Sequence, residues 1–291
     1  NTAVTRYEGD TRRMPGRFSA SEVGNSNNGS SIGMSGMENV MLDLAGKNAI
    51  SKDETGSGWI PLRNPADGSS LFKVNPDLIG SSDGDYWKPP ARNYIAQTGA
   101  AQIGGAPYTA NEGAAQLKDL VDAFGTPILA WSQDAGQAAR PISDTQALAT
   151  EDSSDPAQFY LQSNRAFLNS TALGKNGYNN ASLSAIGTDS NAAENLAGFL
   201  GNPGDPQIAT LGSPAASILP SKARGRLIIH AAGVDGIYLS KANAARPTGG
   251  DQPLSYGLTF KTVAGGTING SDGKPTSQDI LSQFDDQIVS N

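Results

Sequence analysis

One short stretch sets the fold of this chain: Val121-Asp122-Ala123-Phe124-Gly125-Thr126-Pro127-Ile128-Leu129-Ala130-Trp131. An acidic turn leads directly into an apolar run, which is the pattern of a loop followed by a β-strand. Pro127 has no N–H to donate to a strand ladder, so it belongs at the start of the strand or on an edge. Gly125 supplies backbone freedom at the turn. We therefore predict a strand that begins near Ile128.

A second strand-like run spans residues 226–232 and is closed by the turn Gly233-Val234-Asp235-Gly236. We predict that the two strands face one another as the centre of a small antiparallel sheet. The single histidine, His230, lies inside the second run. A catalytic triad needs a nucleophile and an orienting group beside its base, and the sequence has no nucleophile-elbow motif. We interpret His230 as a structural residue.

Two helices are predicted near the start of the chain. Val4, Tyr7 and Thr11 recur at helical spacing. Residues 34–44 carry a longer amphipathic stripe that ends near Gly46. Methionines recur along this stripe, and they predict core packing rather than a cofactor role.

Two long polar segments flank the first strand. Residues 51–116 are predicted to be dominated by loops, with a short helical turn over residues 116–121. Residues 132–222 are too many for an ordinary loop, so they are predicted to be an inserted helical and loop subregion between two strands of the sheet. Two helices are predicted within this subregion. The first, over residues 155–161, begins with Asp155-Pro156, and the second, over residues 191–200, is capped by Ser190 or Asn191.

Two further strands are predicted toward the C-terminus. Residues 254–263 include Tyr-Gly-Leu-Thr-Phe, which alternates with the period of a strand. Residues 284–290 are predicted to form a last or edge strand. The sequence contains no internal repeat, and we predict a single α+β domain over residues 1–291.

The composition limits the classes of partner and cofactor. The chain has 291 residues, of which 37% are hydrophobic and 17% charged, and its net charge is −7. An acidic chain without a basic stripe does not predict binding to nucleic acid or to an anionic membrane surface. There is no cysteine, so disulfides and thiolate chemistry are excluded. A metal site has to use oxygen ligands and one histidine, which favours calcium over zinc. No apolar run approaches the roughly 20 residues that span a bilayer.

Three motifs resemble the soluble domain of type II secretion pseudopilins and type IV pilin-like proteins. The first, Tyr7-Glu8-Gly9-Asp10-Thr11-Arg12-Arg13-Met14-Pro15, is similar to the element that ends the family's long N-terminal helix. The second, residues 122–128, is similar to the family's element at the start of the first strand. The third, residues 229–236, resembles the turn after the second strand. Residues 284–289 are similar to the family's Asp-Asp-Ile ending, and residues 36–44 lie where the family places a short helix.

The resemblance implies a pilin-like α+β fold in which an N-terminal helix packs on a small antiparallel β-sheet. Insertions at 51–116 and 132–222 make the domain larger than is usual in the family. The implied function is that of a structural subunit, not an enzyme: the soluble head of a pseudopilus or type IV pilus-like filament in type II protein secretion.

The resemblance also implies partners and a location. The partners are other pilin-like subunits and the secretion machinery, and nucleic acid is not among them. In the family a hydrophobic helix precedes the position of Asn1. We expect any membrane contact to run only through that helix, which is missing here. The expected location is the periplasmic or extracellular face of a bacterial inner membrane, in association with a filament.

A calcium site is implied by the same resemblance. The family's major subunit binds calcium in the loop between its later strands, and the acidic positions of that region are matched here by Asp235, Asp285 and Asp286. We therefore expect these three carboxylates to be the metal ligands. The sequence predicts no catalytic residue.

An alternative function of another class stays open. Trp59, Trp87 and Tyr94 lie in one polar segment, and exposed aromatic rings of this kind form platforms for sugars. A secreted carbohydrate-active enzyme or carbohydrate-binding domain is therefore the second hypothesis.

Overall fold

The computed structural model describes part of the 291-residue chain. The described residues are 2–18, 34–50, 60–63, 70–75, 79, 86–88, 94–96, 102–103, 106–107, 117–124, 126–133, 148–150, 157–159, 164, 200–202, 222–234, 236, 238, 259–261, 276–278 and 287–290. Helix α1 spans Thr2–Thr11, and helix α2 spans Gly36–Leu44 and is followed by a 3₁₀ turn over Gly46–Ala49.

The described residues also form short strands, numbered here in chain order. They are β1 (Ile60–Arg63), β2 (Ser70–Val74), β3 (Tyr94–Ala96), β4 (Gln102–Ile103), β5 (Ala106–Pro107), β6 (Lys118–Leu120), β7 (Leu129–Ser132), β8 (Leu148–Thr150), β9 (Ala157–Phe159), β10 (Leu227–Ala231), β11 (Thr259–Lys261), β12 (Thr276–Gln278) and β13 (Gln287–Ser290). Most form antiparallel two-stranded pairs, namely β1–β2, β3–β6, β4–β5, β8–β9 and β11–β12. The other three form one antiparallel sheet in the order β13-β10-β7.

Helix α2 begins at Gly36 because two reciprocal hydrogen bonds cap its start. The side chain of Ser35 accepts a hydrogen bond from the backbone N–H of Glu38, and the Glu38 carboxylate accepts one from the backbone N–H of Ser35. This reciprocal capping box satisfies two backbone donors that a helix start leaves without partners. Every residue of α2 is buried. The predicted helix over residues 34–44 is confirmed, and its methionines lie in the core as predicted.

The three-stranded sheet contains the two central strands that the sequence predicts, β7 and β10. Strand β10 lies at the centre and β7 at one edge, with Ile229 opposite Ala130 and Ile228 opposite Trp131. The predicted antiparallel pairing of the two strands is therefore confirmed. The predicted C-terminal strand is also present, because β13 forms the other edge of the sheet with Ile229 opposite Val289.

Both faces of the β7–β10 pair are buried. Leu227 and Ala130 belong to the same apolar cluster as the core residues of α2, and α2 contacts β7 directly. The next residues along the strands point to the opposite face, because side chains alternate along a strand. On that face Trp131, Ile228 and His230 are at most 1% exposed. The β7–β10 pair is therefore enclosed on both faces, whereas β13 lies at an edge of the sheet where Gln287, Val289 and Ser290 are exposed.

Helix α2 and strand β7 approach so closely that a glycine is needed between them. A Cβ atom on Gly36 would lie 2.1 Å from the carbonyl oxygen of Ala130. The same oxygen accepts a hydrogen bond of 2.9 Å from the side-chain amide of Asn164, which is itself buried. The edge of β7 is thus covered by the start of α2 and by a residue from the chain between β7 and β10.

Two local predictions are wrong. Residues 155–161 were expected to be helical, but β9 lies there and pairs with β8, and Phe159 is 1% exposed. Residues 116–121 were expected to make a helical turn, but β6 lies there and pairs with β3. In both cases strand pairing and burial outweigh a weak local helix signal, which tertiary context commonly overrides.

The other segment predictions have mixed outcomes. Strands β1 to β5 lie within residues 51–116, and most of this segment is outside the described residues, so its prediction as loop-dominated stays a prediction. Strand β11 lies inside the predicted segment 254–263 and pairs with β12. Of the predicted helix over 191–200, only Leu200 is among the described residues. The pilin-like fold and the single domain over 1–291 stay predictions.

The glycine contact leads to a stability prediction with an internal control. Replacing Gly36 by alanine places a methyl group against a backbone carbonyl, so α2 has to move away from β7. We expect Gly36→Ala to lower the free energy of unfolding by about 1–3 kcal/mol. In α1, a Cβ on Gly9 meets no atom within 4 Å, so Gly9→Ala should raise that free energy by about 0.5–1 kcal/mol. Denaturant unfolding of both variants measures the difference. Equal midpoints would contradict the close contact.

Candidate functional site

The three predicted calcium ligands, Asp235, Asp285 and Asp286, lie outside the described residues. The residues beside them in the chain are described in part. Gln287, at the start of β13, is paired with Ala231, at the end of β10. Within the described part of the chain, no group of three or more carboxylate or histidine side chains is placed to hold a metal ion.

Residues 121–127 form a tight turn before β7, at the end of the sheet where β10 ends and β13 begins. A carboxylate oxygen of Asp122 accepts hydrogen bonds from the backbone N–H groups of Phe124 and Thr126, at 2.8 and 2.9 Å. The backbone N–H of Asp122 donates to the carbonyl of Thr126 at 2.8 Å. Val121 and Pro127 face each other across the turn as an isolated antiparallel bridge. The Phe124 ring lies at the tip and is 55% exposed.

Tyr238 ties this turn to the chain that follows β10. Its hydroxyl donates a hydrogen bond to the carbonyl oxygen of Pro127. Its ring lies edge-on to His230, with 5.3 Å between the ring centroids, and both side chains are fully buried. His230 thus packs in the core beside an aromatic ring, and Tyr238 joins the second motif to the third.

Near its C-terminal end, α2 binds the segment that follows α1. The centre of this contact is Asp43, whose side chain is 2% exposed. Its carboxylate accepts hydrogen bonds from Arg13 through Nη1 at 2.8 Å and through Nη2 at 3.2 Å. The backbone N–H of Gly16 donates to it at 2.9 Å, and Nε of Arg17 lies 3.5 Å away. A two-pronged arginine contact fixes orientation as well as charge.

Asn39 extends this contact by one helical turn. Its side chain accepts a hydrogen bond of 2.9 Å from the backbone N–H of Phe18 and donates one of 2.7 Å to the carbonyl of Phe18. Residues four apart lie on the same face of a helix, so Asn39 and Asp43 together hold residues 16–18. We call this set of contacts, made by Arg13, Gly16, Arg17, Phe18, Asn39 and Asp43, the α1–α2 clasp.

Tyr7 connects the clasp to the core. Its ring lies 4.9 Å from Tyr86 and beneath the guanidinium of Arg13, and it is 3% exposed. Burial raises the pKa of Tyr7, and the negative charge of Asp43 raises it further. Burial by itself lowers the pKa of Arg13, but the hydrogen bond and the charge of Asp43 outweigh it, so the net shift is upward. Tyr7 is thus kept neutral and Arg13 charged.

Two further contacts join α1 to the sheet side of the domain. Nη1 of Arg226, next to the start of β10, lies 3.0 Å from a carboxylate oxygen of Glu8. Near the start of α1 there is a cavity of about 360 Å³. Apolar side chains from α1, α2 and the strands line most of it, including Val4, Met41 and Ile229. Val4, near the start of α1, also belongs to the buried apolar cluster that includes residues of α2 and β10. Helix α1 therefore has a polar contact near its end and an apolar one near its start.

The clasp was not found by sequence reasoning, although part of its signal was present. Ser35 and Glu38 have the spacing of a capping box, which marks the start of α2 more closely than the apolar stripe does. Asn39 and Asp43 interrupt that stripe on one face. Their partners come from residues 13–18, and no local pattern links the two segments. As a chemical arrangement, the clasp joins segments and holds α1 in place.

The strength of the clasp can be measured against an exposed pair in the same protein. We expect a double-mutant cycle with Arg13→Gln and Asp43→Asn to give a coupling free energy of about 1–3 kcal/mol, because the carboxylate is buried. The Glu8–Arg226 pair, whose side chains are 34% and 57% exposed, should give about 0.2–1 kcal/mol in a cycle with Glu8→Gln and Arg226→Gln. Denaturant unfolding measures both. A larger coupling in the exposed pair would contradict the clasp.

Within the described residues, no helix is both long enough and apolar enough to cross a membrane. Comparisons of the chain with protein-family models, with curated proteins and with solved structures found no match.

Proposed function

We propose that this chain is the soluble head of a structural subunit in a pseudopilus or type IV pilus-like filament of type II protein secretion. The observation that carries the proposal is the way α1 is attached. The first motif (residues 7–15) lies on α1 and in the clasp. The second motif (residues 122–128) and the third (residues 229–236) lie at the same end of the β7–β10 pair. The α1–α2 clasp, the Glu8–Arg226 pair and the apolar core link the helix to the sheet.

This attachment suits an assembly protein. A subunit that polymerises through its N-terminal helix has to move its head whenever the helix moves, so the two have to behave as one body. Apolar contacts alone are not directional. The clasp adds directed hydrogen bonds: Asp43 accepts one from the backbone N–H of Gly16, and Asn39 accepts one from and donates one to the backbone of Phe18. These bonds resist both sliding and rotation of α1 against α2.

The other parts of the proposal follow from the resemblance stated above. The chain acts by packing rather than by bond-making. Its partners are other pilin-like subunits and the secretion machinery, and its membrane contact runs through a hydrophobic helix that precedes Asn1. The subunit works at the periplasmic or extracellular face of a bacterial inner membrane.

Calcium bound by Asp235, Asp285 and Asp286 is part of the proposal. What supports it is that Gln287, which directly follows Asp286, is paired in the sheet with Ala231, which lies four residues before Asp235. A divalent ion offsets the repulsion between clustered carboxylates. It also stabilises whatever fold binds it, by an amount that grows with its free concentration.

The calcium prediction is tested by melting the protein first in EDTA and then in excess calcium. At a hundredfold excess over the dissociation constant the ion adds about 2.7 kcal/mol, so the midpoint should rise by several degrees. A variant with Asn at all three positions should show no rise. Asp10→Asn, which changes an exposed carboxylate on α1, is the matched control and should keep the rise. An unchanged midpoint in the unaltered protein removes calcium from the proposal.

Assembly is tested with the complete gene product in a bacterium that carries a filament-assembly machinery. We expect the residues encoded before Asn1 to comprise a basic leader and about 20 apolar residues, and we expect sheared filaments to contain the protein. Asp43→Asn should lower the amount in filaments, because it loosens α1 from the head, whereas Asp10→Asn should not.

The opposite result would favour the second hypothesis. A cleavable secretory signal that ends just before Asn1, with no apolar helix, rules out assembly through such a helix. It would instead support a secreted carbohydrate-binding or carbohydrate-active protein.

A further inference from the structure

The cavity near the start of α1, called here the α1 cavity, has the size of a small-molecule binding site. Its volume is about 360 Å³, and ligand pockets in proteins measure roughly 300–1,000 Å³. Helix α2 supplies four of the lining side chains, which are Met37, Val40, Met41 and Leu44. These four are at most 5% exposed, so one wall of the cavity is part of the buried core.

The rest of the lining is also apolar, with one exception. It is formed by Ala3 and Val4 of α1 and by Trp87, Leu120 and Ile229. The exception is Thr2, which is exposed at the start of α1. Among the described residues that line the cavity, none carries a charge. Water is a poor occupant of such a space because it needs about two to four polar partners, whereas an apolar molecule gains contacts with the walls and loses its own hydration.

Contacts outside the α1 cavity keep its walls apart. The α1–α2 clasp and the Glu8–Arg226 pair hold the later part of α1, and the close contact at Gly36 holds α2 against β7. Closing the cavity requires the start of α1 to tilt inward. That movement would disturb Tyr7, which is buried and packs edge-on against Tyr86. The walls are therefore fixed by the rest of the fold, as in a ligand site that is largely pre-formed.

We propose that the α1 cavity binds a small, uncharged, apolar molecule of the alkylbenzene or hydrocarbon class. The volume indicates the size, because an apolar cavity of about 150 Å³ holds one benzene molecule, and the α1 cavity has room for a ring with a short alkyl chain. The lining indicates the chemistry. An ion would lose its water there without gaining a partner, and each hydroxyl group of a sugar would need a hydrogen-bond partner that these side chains do not supply.

The test is a titration of the chain with propylbenzene, followed by tryptophan fluorescence and by thermal melting. Because Trp87 lines the cavity, its emission should change along a saturable curve. The melting midpoint should rise, because a ligand that binds the folded state stabilises it. Glucose, a polar molecule of similar size, should change neither signal. Trp87→Phe should lose most of the fluorescence response and keep the rise in midpoint.

A substitution that fills the cavity tests the location of the site. Ala3 is partly buried and packs against the core, so Ala3→Leu places a larger apolar side chain in the cavity. We expect it to weaken propylbenzene binding about tenfold and to raise the midpoint of the protein without ligand by about 2–4 °C. Thr5→Leu is the matched control, since it adds the same side chain at an exposed position of the same helix, and it should leave binding unchanged.

Three results would overturn the proposal. The first is the lack of a saturable change when the unaltered chain is titrated with propylbenzene, a result that does not depend on how any variant folds. The second is equal weakening of binding by Thr5→Leu and Ala3→Leu, or an equal response to glucose. The third is self-association of the chain in sedimentation equilibrium that Ala3→Leu abolishes, because the cavity would then receive a side chain of a second copy. None of these results bears on filament assembly, so the two proposals fail separately.

Discussion

The buried carboxylate of Asp43 is the constraint on which the arrangement of the two helices depends. An ionised carboxylate that is almost removed from water is unstable unless charged and polar donors surround it. The donors around Asp43 are the guanidinium groups of Arg13 and Arg17 and the backbone N–H of Gly16, about thirty positions earlier in the chain. The path of the chain after α1 is therefore fixed by the need to satisfy one side chain of α2. The same contact holds Tyr7 over the core and so fixes the last turns of α1.

A second constraint lies at the start of α2, about two helical turns before Asp43. The helix is buried all round, so it has to pack against the sheet as tightly as against α1. Gly36 permits this, because any larger residue would meet the carbonyl of Ala130. The side-chain amide of Asn164 donates a hydrogen bond to the same carbonyl, which lies at the edge of β7. Helix α2 is thus the layer through which α1 and the sheet are held together.

The sequence predicts those parts of the fold whose signals are local. The apolar runs around Leu129 and Ile228, the stripe of α2 and the helical spacing of Val4, Tyr7 and Thr11 all agree with the structure, because each is encoded within about ten residues. Strand β9 was mistaken for a helix because an Asp-Pro cap is a weak signal beside the burial of Phe159. The clasp could not be predicted at all. A pairing between Arg13 and Asp43 depends on how two helices dock, and no spacing in the sequence expresses it.

The burial of both faces of the β7–β10 pair limits where another protein can bind. Among the described residues, the large hydrophobic side chains that stay exposed are Phe124, Val234 and Val289. Phe124 and Val234 lie in the turns at one end of the sheet, and Val289 lies on its edge strand. None lies on the outer face of α1, where the exposed side chains include those of Arg6 and Asp10. Contacts made through α1 therefore have to be largely polar, while contacts made through the sheet end can be apolar. A protein with two such unlike surfaces can make head-to-tail contacts, and contacts of that kind can repeat along a structure that grows in one direction.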